Sequence, residues 1–274
     1  MRIVGWNIRA GGGRRVELIA AQLDAWAPDI VALSEFRATP PSQHLAETLA
    51  ARGLAFQQAA LDSGQLSRNG LLVASRWPLK PIRARSAPSE PCRWLLVGVD
   101  APAPFTLGAM HIPLSMSGRK LPYLGAVERL VRSWRRGPGL LIGDTNSGRP
   151  GIDEESPVFG PRSAAWFDEL DRRGWADAFR HLHGDTRVYT WYSPNAGNGF
   201  RLDQAFVNRH LLPRLRQARY EWGQSLESVD PAARTTLSDH AALLLDFDLY
   251  DGRRAQGNEA LASYPCQDLA PPAL

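Results

Sequence analysis

Residues 1–36 read MRIVGWNIRAGGGRRVELIAAQLDAWAPDIVALSEF. Ile3–Ile8 is a short apolar run, and the turn-prone Gly11-Gly12-Gly13 follows it. Val16, Ile19, Leu23 and Trp26 recur at helical spacing, and Pro28 closes that helix. Residues 29–33, DIVAL, read as a buried strand that ends at Ser34-Glu35. The stretch is therefore a strand–helix–strand unit with a carboxylate at the carboxyl edge of its second strand.

Outward from this unit, a second helix is expected over residues 42–52. Strands are expected at Leu71–Ser75, Trp94–Val99 and Phe105–His111, separated by Pro-rich turns. Leu124, Val127, Val131 and Trp134 place an apolar stripe on another helix, which Gly137-Pro138-Gly139 ends. A short strand over 140–143 leads into Asp144, and a helix follows near 163–173. The later strands fall at 188–192, 202–207, 215–222 and 241–249. Early alternation of helix and strand, with strands dominating later, favours an α/β layered sandwich. We read one domain over residues 1–250 and a polar, Pro-containing extension over 251–274.

The bulk properties narrow the setting. An apolar fraction of 44% with nine tryptophans is enough for a substantial core. A formal charge of +4 and a pI near 9.4 suit a polyanionic partner without requiring one. Cys92 and Cys266 are the only cysteines, which excludes a disulfide framework and a cysteine-rich zinc site. The first ten residues lack an apolar signal-peptide core, and no apolar run approaches the roughly 18 residues of a membrane span. A soluble, cytoplasmic protein is expected.

Polar residues recur beside the apolar runs: Asn7 in GWNI, Glu35 in ALSEF, His111 in AMHIP, Asp144 and Asn146 in LIGDTN, Asp239 and His240 in SDH. Each is expected at the end of a strand, whereas Asp203 in RLDQAFV opens one. Side chains at strand ends are held by a rigid scaffold, so their recurrence there points to one shared cleft. The residue types fit phosphodiester hydrolysis, which needs charge neutralisation at phosphate, a positioned water and donors to the developing oxyanion. Mg²⁺ prefers carboxylate oxygen and keeps several waters, and Glu35 and Asp239 are its best candidates. Mn²⁺ is the other ion considered, and no further cofactor is expected. Gly11-Gly12-Gly13 lacks the Gly-Lys-Ser/Thr ending of a P-loop. Asp153-Glu154-Glu155 reads as a solvated loop, Arg14-Arg15 as an outer helix face, and Arg119 and Lys120 as a solvated basic face.

In order along the chain, WN at 6–7, SEF at 34–36, NGLLVASRWPL at 69–79, HIP at 111–113, GDTN at 143–146, YTW at 189–191, RLD at 201–203 and SDH at 238–240 resemble the endonuclease/exonuclease/phosphatase superfamily. The later motifs are most similar to its exonuclease III and abasic-site endonuclease branch. The resemblance spans residues 6 to 240 and implies a four-layered α/β sandwich with the site at one end of two packed sheets. It implies metal ligation by Asn7, Glu35 and Asp239. It also implies water activation by Asp144, with Asn146 holding that water or the phosphate. His240 becomes a phosphate donor oriented by Asp203, and His111 a second donor. Trp191 and Phe200 match aromatic residues that line a pocket for a sugar lacking its base, and Arg201 joins them as a substrate contact.

Two departures stand out. Arg9 replaces an acidic residue common after the first Asn, and the segment between Trp191 and Arg201 is short. The expected function is a Mg²⁺-dependent nuclease acting on DNA as a monomer. A phosphoesterase for a small or lipid phosphate, and a catalytically silent binding module, are the readings weighed against it.

Overall fold

Each apolar run contributes alternate side chains to two different layers, and that alternation builds the fold. The computed structural model describes residues 1–90, 92–223 and 237–248. In chain order its elements are β1 (Arg2–Asn7), α1 (Val16–Trp26), β2 (Ile30–Phe36), α2 (Pro40–Ala51), β3 (Phe56–Ala60), β4 (Gly70–Ser75), β5 (Leu79–Pro81), β6 (Trp94–Val99), β7 (Phe105–His111), α3 (Lys120–Arg132), β8 (Gly139–Asp144), α4 (Pro161–Arg172), β9 (Trp175–Asp177), α5 (Ala178–His183), β10 (Trp191–Tyr192), β11 (Gly199–Phe200), β12 (Asp203–Asn208), β13 (Leu215–Glu221) and β14 (Ala242–Phe247). Two six-stranded sheets result, ordered β13-β14-β1-β2-β4-β3 and β5-β6-β7-β8-β12-β9, beside a two-stranded β10-β11 pair.

Ile3, Ile30, Val73, Leu107, Leu140, Ile142 and Leu243 pack between the two sheets. Their neighbours Val4, Val31, Leu72 and Leu244 point outward under Val16, Ile19 and Leu23 of α1 and Leu45 and Leu49 of α2. On the other side, Leu96, Leu141 and Phe206 meet Leu124 and Val127 of α3 and Trp166 and Leu170 of α4. Side chains alternate along a strand, so a strand covered on both faces must be apolar at every position. The layers are helix, sheet, sheet, helix: the four-layered α/β sandwich.

Each sheet is centred on a parallel pair, β1 with β2 and β7 with β8. Helices α1 and α3 make the crossovers, so four strand carboxyl ends, carrying Asn7, Glu35, His111 and Asp144, open at one edge. Ligands bind outside such carboxyl ends in α/β sheets. β12 runs antiparallel to β8 and β14 antiparallel to β1, so their starts reach the same edge. That reversal brings Asp203 and the Asp239-His240 pair to the site. The SDH motif therefore precedes a strand rather than ending one.

Other boundaries shift for local reasons. α2 and α4 begin at Pro40 and Pro161, where a missing N–H costs nothing at the first helical position. The strand expected over 188–192 shortens to Trp191–Tyr192. β3, with Phe56 43% exposed, is a polar edge strand created by pairing with β4. β9 and α5 are too short for a periodicity to show. Among the described residues no helix is long and apolar enough to cross a membrane. The extension expected over 251–274, with Cys266, lies outside the described residues.

Candidate active site

The common edge opens into a cleft of about 590 Å³ lined by Glu35, Asn69, Arg93, His111, Lys120, Asp144, Asn146, Trp191, Phe200, Asp239 and His240, among others. Asp144 is its hub. Cross-strand register sets Asp144 directly beside His111 on one side and Asp203 on the other. Its Oδ2 accepts from Asn7 Nδ2 at 3.1 Å, its Oδ1 from the Asn146 backbone N–H at 2.9 Å, and His111 Nε2 stands 3.6 Å from Oδ2. Asn7 is buried and reaches the cleft through Asp144.

The GDTN run is locally constrained to present this carboxylate. Gly143 has φ 148°, and a Cβ there would collide with the Met110 carbonyl, so only glycine fits. Asn146 takes φ 46°, and its Nδ2 donates to the Ile112 carbonyl at 2.9 Å. Glu35 likewise adopts φ 58° at a register shift between β2 and β4. Its Oε2 accepts the Ala10 N–H at 2.7 Å. Bulges and left-handed residues of this kind re-aim side chains and cluster at functional sites.

His240 is held on three sides. Its backbone carbonyl accepts from Trp6 Nε1 at 3.0 Å, its N–H donates to Ser238 Oγ at 3.2 Å, and its ring Nδ1 lies 2.8 Å from Asp203 Oδ2. Burial alone would lower its pKa. The Asp203 charge and hydrogen bond, with Asp144 and Asp239 behind them, overcome that and push it up to about 10. His240 is thus a cation across the physiological range. His111 goes the other way: burial outweighs the Asp144 charge and takes it down to about 4, so this imidazole is neutral. Its buried Nδ1 has no hydrogen-bond partner among the described residues. Burial also raises the Asp144 carboxyl, restrained by the two histidines. Two histidines in one cleft are driven to opposite charge states by what each touches.

Asp239 carries the third cleft carboxylate beside Asp144 and Glu35, with Arg9 Nε 4.0 Å from its Oδ2. Among the described residues no three His, Cys, Asp or Glu side chains gather into a metal cluster. Glu35 and Asp239 give this polar cleft oxygen donors that suit a hard divalent cation keeping most of its water, and no thiolate among the described residues lines it.

Several residues take places the sequence did not indicate. Arg201, expected at the substrate, is fully buried. Its guanidinium donates to Asp153 at 2.7 and 3.0 Å, to Asp177 at 2.6 and 3.3 Å, and to Tyr220 Oη at 3.2 Å. With its donors occupied it cannot reach a ligand, so it is an internal brace. Asp153 and Glu154, read as solvated, are buried. Arg15 lies on no outer face; it donates to the Ile8, Arg9 and Leu237 carbonyls, closing the loop below Asp239. Lys120, read as part of a basic face, is 8% exposed and lines the cleft. Its Nζ donates to the Asn146 carbonyl and to Ser115 Oγ, and burial lowers its pKa. The signal was present: Lys120 lies one turn before Leu124 on the apolar stripe of its own helix. Arg93, which donates to the His111 carbonyl at 3.3 Å, carried no such signal.

Known proteins resemble this chain in sequence or in fold. An exodeoxyribonuclease of Streptococcus pneumoniae is 27% identical over 136 residues, 44% of this chain and 46% of that protein, so the match spans about half the length of the curated relative. An AP endonuclease from Archaeoglobus fulgidus superposes with a TM-score of 0.73 at 19% identity, covering 90% of this chain and 99% of the other. A 3′ phosphatase from Neisseria bound to a product DNA hairpin gives 0.71 at 22% identity, with the same coverage of 90% and 99%. The model of the Endonuclease/Exonuclease/phosphatase family matches residues 4–240. That match takes in every strand-end group gathered around Asp144, and the chain belongs to the Endonuclease/Exonuclease/phosphatase family.

Proposed function

We propose that this chain is a DNA nuclease that hydrolyses phosphodiester bonds by a single in-line displacement with the aid of a divalent cation. The observation that carries the reading is the buried Asp144 carboxylate, 3.1 Å from the Asn7 amide and flanked by a neutral and a cationic histidine. DNA as substrate is supported by the names of the relatives, an exodeoxyribonuclease and a DNA-bound 3′ phosphatase.

Glu35 and Asp239 would hold the cation, Mg²⁺ or Mn²⁺, with Asn7 close behind Asp144. When bound, the cation offsets charge on the phosphate. The chain's own groups supply the rest. Asp144, its carboxyl raised by burial, accepts a proton from the attacking water. Asn146, fixed by the Ile112 carbonyl, borders the water's position. Protonated His240 donates to a non-bridging phosphate oxygen, and Asp203 holds both its orientation and its charge. Neutral His111 supplies a second, uncharged donor. Trp191 and Phe200, with ring centroids 6.0 Å apart, form the cleft wall beside His240 against which the sugar packs, including one that has lost its base.

Cleavage of a labelled duplex carrying one abasic site, with Mg²⁺ and with EDTA, tests this. Intact duplex, single-stranded DNA and bis(p-nitrophenyl) phosphate run in parallel, and Asp144→Asn controls for contamination. The reading requires metal-dependent cutting of at least one DNA substrate that the variant abolishes. Turnover of the small diester alone would transfer the chain to the small-phosphate or lipid-phosphate reading. Silence on every substrate would favour a binding module.

A further inference from the structure

Behind GDTN, the chain from Gly148 to Gly160 forms a second wall of the cleft. Glu154 is 3% exposed and organises it. Its Oε1 accepts the Gly151 N–H at 3.0 Å, and its Oε2 accepts the N–H groups of both Val158 and Phe159 at 2.6 Å. A buried carboxylate that bonds three backbone donors fixes a loop firmly. Its position also pairs with Phe200 across an isolated bridge.

The clamp presents Val158 and Phe159 to the cleft. Phe159 meets Phe200 edge to face, with centroids 5.6 Å apart and planes at 73°. Its ring lies on Gly148, where any Cβ would strike it. Val158 is 66% exposed although it lines the cleft, as does Leu114, which is 63% exposed. Apolar side chains so exposed at the mouth of a charged cleft are left without a partner in the folded chain. The cleft volume of about 590 Å³ lies in the range that encloses a drug-sized ligand, well above a bare deoxyribose.

We propose that Val158, Phe159 and Leu114 form a subsite for an unstacked nucleobase, so that the preferred substrate is a base-bearing, unpaired nucleotide beside the scissile phosphate rather than an abasic sugar. The proposal rests on the nuclease reading. Aromatic and aliphatic walls accept any base through its π-face, while Arg93 and Lys120 in the same cleft suit the anionic phosphate next to it. An acyl chain would also satisfy the apolar wall, and a lipid phosphate the same cations; the nuclease reading favours the base, and the test separates the two.

The test uses the full chain with Mg²⁺ and two single-stranded oligonucleotides, identical except that one ends in a normal 3′ nucleotide and the other in a tetrahydrofuran abasic analogue. Wild-type kcat/KM should favour the base-bearing end by roughly 5- to 150-fold, the range spanned by one base–aromatic contact. Phe159→Ala should collapse that ratio towards one. So should Val158→Ser, which alters a side chain too exposed to threaten folding. Equal wild-type rates on the two ends, with DNA still cut, would overturn the subsite and leave the nuclease reading standing. Retention of the preference in both variants would overturn it equally. Neither oligonucleotide cut while a duplex is still cleaved would overturn the subsite alone; turnover of bis(p-nitrophenyl) phosphate with no DNA cut, single-stranded or duplex, would remove both readings. Hydrolysis of sphingomyelin in mixed micelles that the same variants weaken would reassign the wall to an acyl chain.

Discussion

Asp203→Asn isolates what a buried carboxylate does for its histidine. In the wild type the Asp203 charge and hydrogen bond raise His240 from 6.5 to about 10 against the opposing effect of burial. A displacement of that size corresponds to about 5 kcal/mol favouring the imidazolium, as an order of magnitude. The asparagine keeps shape and hydrogen bonding but removes the charge, so His240 should fall back towards its ordinary value of 6.5, with burial lowering it and Asp144 and Asp239 raising it. At pH 6.5 about half the molecules would then retain the cation, and at pH 8.5 roughly 1% would. The loss in kcat/KM should therefore be about 2-fold at pH 6.5 and about 100-fold at pH 8.5. Burial pulling the pKa lower still would enlarge both figures. The assay is a pH profile of DNA cleavage for both proteins at fixed Mg²⁺, with folding checked by circular dichroism at each pH. A loss of equal size at the two pH values would refute the argument, because it would show that Asp203 does not act through the charge of His240.

Asp144→Asn should lower the rate by several orders of magnitude while the protein stays folded and binds DNA, read by single-turnover cleavage alongside gel shift. Near-normal turnover would remove Asp144 from the mechanism. Arg201→Met removes the cation that Asp153 and Asp177 share, leaving Asp153 its pair with Arg180 and Asp177 only the Phe179 and Arg180 N–H groups, which should cost about 3–5 kcal/mol in urea denaturation. A substrate contact would instead raise KM and leave stability alone. His111, buried neutral at about 4, makes folding acid-sensitive: the unfolded chain binds its proton near 6.5, so stability is lost as pH falls from there towards 4. His111→Gln should flatten the fall in thermal midpoint across that window, and an unchanged slope would place the acid sensitivity elsewhere. His240 has the opposite sign, its contribution being complete below pH 6.5 and lost as pH rises through about 10.

Much of this molecule is legible before folding. Uninterrupted apolar runs such as 140–143, too short for a helix, read as strands covered on both faces, and the stripe of Val16, Ile19, Leu23 and Trp26 reads as a helix with one buried face. The polar residues beside those runs could be named because strand ends are where a sheet runs out of apolar partners. What only pairing across the chain decides is how those residues meet. Asp203 and His240, named from their motifs, reach the cleft because β12 and β14 run antiparallel to the central strands, which reverses the end that faces it. Arg201 sits two residues from Asp203, yet it is an internal brace, because Asp153 and Asp177 converge on it from distant segments. Glu154 looks like a solvated acid until the fold closes a loop around its two oxygens. Opposite charge states for His111 and His240 are likewise a tertiary fact. The same imidazole meets burial in one place and an apposed carboxylate in the other, and neither environment is written in the residues on either side.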